Sequence, residues 1–251
     1  MSSRNERAAQ VLITARARRS VLPTLPDDVR PRSAADAYAI QDAVADAIGP
    51  IGGWKVGAKD AVAEPSCAPL CAAWIVASPA TFERDRFARN GIEAELAFTF
   101  ARDLPPSDSA YGERDVIAAI GTVHPVIEVV DSRFADMQAA DPLSQLADSL
   151  SHGALVVGNG TALPAAFDVA RQAVELRFGD VPEFSGVNSN AAGNPFRLLA
   201  WLANHVAGRR GGLRRGDVVT TGSWSGLRFA EPGVHVAARF AGLGEASVKF
   251  A

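Results

Sequence analysis

Residues 92–100 read Ile92-Glu93-Ala94-Glu95-Leu96-Ala97-Phe98-Thr99-Phe100. Ile92, Ala94, Leu96, Phe98 and Phe100 alternate with Glu93, Glu95, Ala97 and Thr99, which is the period of two that a strand imposes. The same alternation puts both carboxylates on one face, about 7 Å apart along the strand. Like charges at that spacing repel unless water or a cation separates them. The pair therefore reads either as the wet face of an edge strand or as part of a cation site.

Other strands surround this one in the sequence. Trp54-Lys55-Val56 is short and lies between glycines, and Val123 to Val130 is β-branched. Ala170 to Phe178, Val218 to Thr221, Val234 to Phe240 and Ala246 to Phe250 are further short runs. Helical spacing appears over Asn5 to Arg19, over Ser33 to Ala47 with Ser33 as N-cap, over Glu113 to Ile120, and from Asn194-Pro195 onward. Leu22 to Arg32 carries three prolines and reads as a linker. Strands with interspersed helices and no regular βαβ alternation predict an α+β fold. The expected division is a helical segment over residues 1–50 and a strand-rich domain over 51–251.

Composition narrows the function. Lys and Arg total 25 against 28 Asp and Glu in 251 residues, which argues against nucleic acid as a partner. No G-x-G-x-x-G opens a helix after a strand and there is no P-loop, so a nucleotide site has no support. Cys67 and Cys71 make a poor zinc signature and read as two half-buried thiols. The longest uncharged stretch, 65–82, is broken by Pro69 and Pro79 and is too short in its apolar centre to span a bilayer. No secretory leader is visible, so a cytoplasmic protein with no membrane contact is expected.

Glu128 stands in Pro125-Val126-Ile127-Glu128-Val129-Val130, where every neighbour is apolar. A buried carboxylate is costly unless it is paired or holds a cation. One reading pairs it with Arg133. The other joins it to Glu93 and Glu95 as three hard oxygen ligands, a set that suits Mg²⁺ or Mn²⁺ and not Zn²⁺. Lys55 is one of three lysines in the chain, and it reads either as snorkelling to the surface or as buried beside an anion. Gly222-Ser223-Trp224-Ser225-Gly226 reads as a turn after a strand that can offer backbone N–H groups to an anion.

Taken in order, these stretches resemble the 2-keto-4-pentenoate hydratase and 4-oxalocrotonate decarboxylase family of the fumarylacetoacetate hydrolase superfamily. The resemblance rests on Tyr38-Ala39-Ile40-Gln41, Gly53-Trp54-Lys55-Val56-Gly57, Ile92-Glu93-Ala94-Glu95, Glu128-Val129-Val130-Asp131-Ser132-Arg133, Gly193-Asn194-Pro195, Trp201-Leu202-Ala203-Asn204, Gly216-Asp217-Val218-Val219, Thr221-Gly222-Ser223 and Gly242-Leu243-Gly244. It implies a mixed β-roll core with an N-terminal helical segment, and a homo-oligomer. It implies that Glu93, Glu95 and Glu128 bind a divalent cation and that Lys55 faces the substrate, with Asp148, Gly222 and Ser223 as substrate contacts. The activity implied is that of a metal-dependent lyase, a hydratase or decarboxylase, working on a small 2-oxo or 2-hydroxydienoic acid through an enolate held on the cation. The alternatives are an acylpyruvate C–C hydrolase and a non-catalytic partner subunit. Two departures stand out. Ser66 occupies the place of an Asp that assists proton transfer in family hydratases, with Glu64 as the displaced carboxylate nearby. Asp148-Ser149 replaces an Asp-Asn pair.

Overall fold

The structure, a computed structural model, describes residues 3–251. Helices α1 (Arg4–Ala17) and α2 (Ala34–Ile48) lead into strands β1 (Ile51–Gly57), β2 (Ser66–Cys71), β3 (Ile75–Ala77), β4 (Ala80–Phe82) and β5 (Gly91–Phe100). Helix α3 (Glu113–Ala119) runs into β6 (Ile120–Val130), and α4 (Pro142–Ala147) precedes β7 (His152–Val157) and β8 (Thr161–Ala162). Strands β9 (Ala173–Phe178) and β10 (Val181–Val187) form a hairpin ahead of α5 (Pro195–Arg210). Then come β11 (Val218–Ser223), β12 (Arg228–Phe229), β13 (His235–Phe240) and β14 (Gly244–Phe250).

The helix starts follow capping chemistry. Ser3 and Glu6 form a capping box at α1, the Ser33 hydroxyl accepts from Asp36 N at α2, and the Asn194 side chain accepts from Phe196 N with Pro195 in the first turn of α5. Helix α5 stops at Gly211, whose φ of +80° suits a residue without Cβ.

Two mixed sheets carry the strands. One runs β2-β1-β11-β5-β6-β7-β3, with β12 added to β5 and β8 to β6; the other runs β10-β9-β13-β14-β4. Strands β1 and β11 are parallel, as are β3 and β7 and also β14 and β4, and the rest pair antiparallel. Trp54, Phe98, Leu199, Leu202, Trp224, Phe240 and Phe250 belong to one buried cluster that links the two sheets to α5. Each such side chain contributes about 1.5–3 kcal/mol by leaving water. A second cluster holds Leu12, Leu25, Ile40, Val44, Phe134 and Leu146, packing α1 and α2 on α4. Buried Gln41 on α2 ties these parts together by donating to Cys67 O on β2 and to Leu146 O on α4.

Strand β5 is central, not an edge, so the face carrying Glu93 and Glu95 is enclosed rather than wet. Cys67 and Cys71 are free thiols and fully buried rather than half-buried. The larger sheet is curled. Strands β1 and β6 are three places apart, about 14 Å in a flat sheet, yet Lys55 Nζ on β1 lies 2.6 Å from Glu128 Oε1 on β6. The long lysine side chain and the curl of the sheet together close that gap, and the concave face is where the carboxylates meet.

Candidate metal and active site

Glu93 and Glu128 are direct partners in the β5–β6 register, and Glu95 pairs with Ser223 of β11. Each of the three carboxylates offers an oxygen, and these oxygens lie within 4.8 Å of one another. Glu95 and Glu128 are buried, and Glu93 sits at the lip.

Strand β11 carries a bulge between Thr220 and Ser223. Gly222 takes a φ of +85° there, which a side chain adopts only with strain. The bulge aims the Gly222 N–H at Glu95 Oε2, 2.9 Å away, and the Thr220 hydroxyl donates to the same oxygen. The buried Ser223 hydroxyl lies beside Glu93 and lowers that carboxyl's pKa against the effect of burial.

Lys55 donates to Glu128 Oε1 at 2.6 Å and to Leu150 O at 3.1 Å. The lysine is therefore buried beside an anion rather than snorkelling. Arg133 is not the partner of Glu128: its Nε donates to Asp148 Oδ1 at 2.6 Å and its N–H to Asp148 Oδ2 at 2.9 Å.

Leu150 O reaches Lys55 because Ser149, Leu150 and Ser151 all adopt left-handed φ, at 53°, 53° and 61°. Such a run costs about 1–2 kcal/mol per residue and persists because its surroundings fix it. Arg133 holds Asp148 on one side of the turn and donates to His152 O on the other, and Asp131 N donates to Ser151 O. The turn delivers His152, fully buried, to Glu128: Nδ1 lies 2.9 Å from Oε1.

Electrostatics follow from this packing. Burial opposes the charged form of Glu128, but Lys55 and His152 outweigh it and hold its carboxyl below the usual range. Burial, with Glu128 and Glu93 as like charges, pushes Glu95 well up, and burial with Glu128 also raises Glu93. Burial opposes the Lys55 ammonium too, yet Glu128, Glu95 and Glu93 together raise its pKa. Burial lowers His152 to about 4, so its ring is neutral.

The donor set fits a hard divalent cation. Three ionised carboxylates against one ammonium leave two negative charges, which one divalent cation balances. Glu128 Oε2 is buried with no hydrogen-bond partner, and a cation satisfies an oxygen of that kind. The three oxygens leave further coordination positions for water or a ligand. A cavity of about 410 Å³ opens at Glu93, lined also by Val130, Met137, Gln138, Gln145, Leu150 and Leu227.

The other expected residues make separate contacts. Glu64 accepts from Trp201 Nε1 at 2.6 Å, against α5. Ser66 begins the edge strand β2, opposite Gly57. No hydrogen bond or ion pair among the described residues joins either to the carboxylates or to Lys55. Asp148 is buried in its pair with Arg133. His152 was not singled out from the sequence. Its partner is 24 residues away, and nothing in its neighbourhood signals the left-handed turn that aims it.

A mixed roll with three glutamates on its concave face defines a class, and comparison with known proteins agrees with it. The fumarylacetoacetate (FAA) hydrolase C-terminal family matches residues 72–251, and the chain belongs to that family. It is similar to a 2-hydroxyhexa-2,4-dienoate hydratase of Comamonas testosteroni, at 32% identity over 158 residues, 63% of this chain. The match spans 59% of that relative's length. A 4-oxalocrotonate decarboxylase of Pseudomonas putida is 32% identical over 160 residues, 63% of this chain and 59% of the relative. Among solved structures, the 4-oxalocrotonate decarboxylase from Pseudomonas putida G7 complexed with magnesium and adipate superposes with a TM-score of 0.88 at 24% identity, covering 100% of this chain and 99% of the other. That likeness establishes the fold. No described helix is long and apolar enough to cross a membrane.

Proposed function

We propose that this chain is a divalent-cation-dependent lyase, of hydratase or decarboxylase type, acting on a small 2-oxo acid or 2-hydroxydienoic acid. The observation that carries the reading is the convergence of Glu93, Glu95 and Glu128 within 4.8 Å, with Lys55 against Glu128. Hydratases and a decarboxylase stand among the similar proteins, and the structural neighbour holds magnesium.

Glu93, Glu95 and Glu128 would hold Mg²⁺ or Mn²⁺, which supplies Lewis-acid polarisation of a 2-oxo or enol oxygen. The protein does the rest. Thr220 and Gly222 lock one oxygen of Glu95, so the ligand set is preorganised rather than assembled on binding. The Lys55 ammonium stands at the site with its charge enforced by three carboxylates, and it stabilises negative charge that develops on the substrate oxygen. The Ser223 hydroxyl beside Glu93 helps hold that carboxylate toward the site. Val130, Leu150 and Leu227 offer apolar wall to the carbon chain of the substrate beside the carboxylates. Glu64 and Asp148 take no direct part in this reading, because Trp201 and Arg133 engage their carboxylates, and Ser66 stands on the strand beside Lys55.

The test is the ultraviolet band of 2-hydroxypenta-2,4-dienoate, followed with Mg²⁺ and with EDTA, in wild type and in Glu128→Ala. The expected result is loss of the band that requires both the cation and Glu128. Loss that ignores both overturns the reading. Carbon dioxide release from 4-oxalocrotonate separates decarboxylation from hydration.

A further inference from the structure

We infer that His152 is a positioning residue that decides which oxygen of Glu128 meets the cation. The inference rests on the metal-site reading above and concerns how this chain builds that site.

Glu128 Oε1 is gripped from two sides. Lys55 reaches it from β1 across the roll at 2.6 Å, and His152 reaches it from the start of β7 at 2.9 Å. Oε2 of the same carboxylate has no protein partner and no contact with solvent. A carboxylate without this clamp can turn about its last torsion and present either oxygen, or both. With the clamp, Oε1 is spoken for and Oε2 alone is free, so Glu128 is a ligand through one atom in a fixed direction.

The tautomer follows from the same contacts. A carboxylate oxygen only accepts, so Nδ1 carries the proton and donates. Nε2 then bears a bare lone pair, consistent with its buried position and lack of any partner. The opposite tautomer would set a lone pair against Glu128 and bury an unpaired N–H. The ring is fully enclosed and its backbone is anchored. Its centroid lies 6.2 Å from that of Trp74, and its own backbone carbonyl accepts from both Arg16 and Arg133. Groups that orient ligands from behind are typically worth about 10–100-fold in metal affinity.

The experiment is Mn²⁺ binding to the purified protein, read by electron paramagnetic resonance and calorimetry without substrate. His152→Phe keeps a ring of similar size beside Trp74 and deletes the donor. His152→Asn restores an N–H near the place of Nδ1. The Phe variant should bind Mn²⁺ about 10–100-fold more weakly, and the Asn variant should stay within about threefold of wild type. His152→Ala serves in place of Phe if that variant does not fold. A Phe or Ala variant with wild-type affinity overturns the inference, and so does equal loss in Phe and Asn. Wild-type protein that binds no Mn²⁺ overturns the metal-site reading itself, and the inference with it.

Discussion

Glu93 and Glu128 face each other directly across the β5–β6 ladder. Two carboxylates at opposed positions of an antiparallel pair destabilise the pair by up to about 1 kcal/mol. Under the proposed function, the pair is kept because both carboxylates ligate one cation. Glu93→Gln should therefore raise the urea midpoint of the protein in EDTA. In the same variant, Mg²⁺ should lose most of its effect. For wild type, Mg²⁺ at 100 times its dissociation constant should add about 2.7 kcal/mol, roughly 5–10 °C in Tm. Paired melts in Mg²⁺ and EDTA check both directions, and a lower midpoint for Glu93→Gln in EDTA would contradict the account.

Lys55 is the counter-charge to Glu128. Lys55→Met keeps the stem and removes the ammonium, leaving a buried carboxylate with His152 alone. Breaking a buried pair from one side costs about 3–5 kcal/mol. Turnover should vanish. Chemical unfolding in EDTA should show the full loss of stability, and Mg²⁺ should recover part of it by supplying another positive charge.

Much of this site can be read from the sequence, and the unread part has physical causes. Glu128 announces itself because apolar residues surround it. The alternation in β5 gives the strand but hides its place, since both faces are covered and an edge strand has the same pattern. The reading also passes over β7 and the short strands β3, β4, β8 and β12, and it passes over β2 and β10 for a shared reason. Strands β2 and β10 contain Pro69 and Pro182, and both lie at sheet edges, where a missing N–H breaks no ladder. Pro125 lies inside β6, but β7 pairs from Val126 onward and β8 pairs at Thr122 and Val123, so it falls in the gap between the two. His152 depends on three non-glycine residues in left-handed conformation, which no residue preference signals.

Asp148 and Arg133 hold that turn in place. Both are buried, and two hydrogen bonds run from Arg133 to the carboxylate. Asp148→Ala should destabilise the protein by about 3–5 kcal/mol and weaken Mg²⁺ binding, because Leu150 O and His152 lose their support. Asp27→Ala breaks an ion pair to Arg30 in which the acid is almost fully exposed, and it should leave the unfolding midpoint unchanged. Urea titrations of the two variants give the comparison.

Alkali should unfold the protein through Cys67. Burial pushes the thiol from 9 up to about 12, and burial likewise raises neighbouring Tyr38 from 10 to about 12. The folded state keeps protons that the unfolded chain releases from pH 9 upward. This stability is complete below pH 9 and is lost as pH rises toward 12, with a slope of about 1.4 kcal/mol per pH unit for each group once its unfolded form is ionised. Cys67→Ala should flatten the fall in unfolding free energy between pH 9.5 and 11. An unchanged slope would assign the effect elsewhere.

The carboxylates stand in the interiors of β5 and β6, while the residues that shape the cavity mouth, Met137, Gln138, Gln145 and Leu150, lie between β6 and β7. Descent with modification therefore has two separable materials here. Insertions and deletions between strands can retailor what the cavity admits. The ion-holding set can be inherited only as a whole roll, since Lys55, Glu93, Glu95, Glu128 and the Ser223 strand come from four distant stretches of chain. No excised segment carries that set, and lineages that change substrate can do so without rebuilding it.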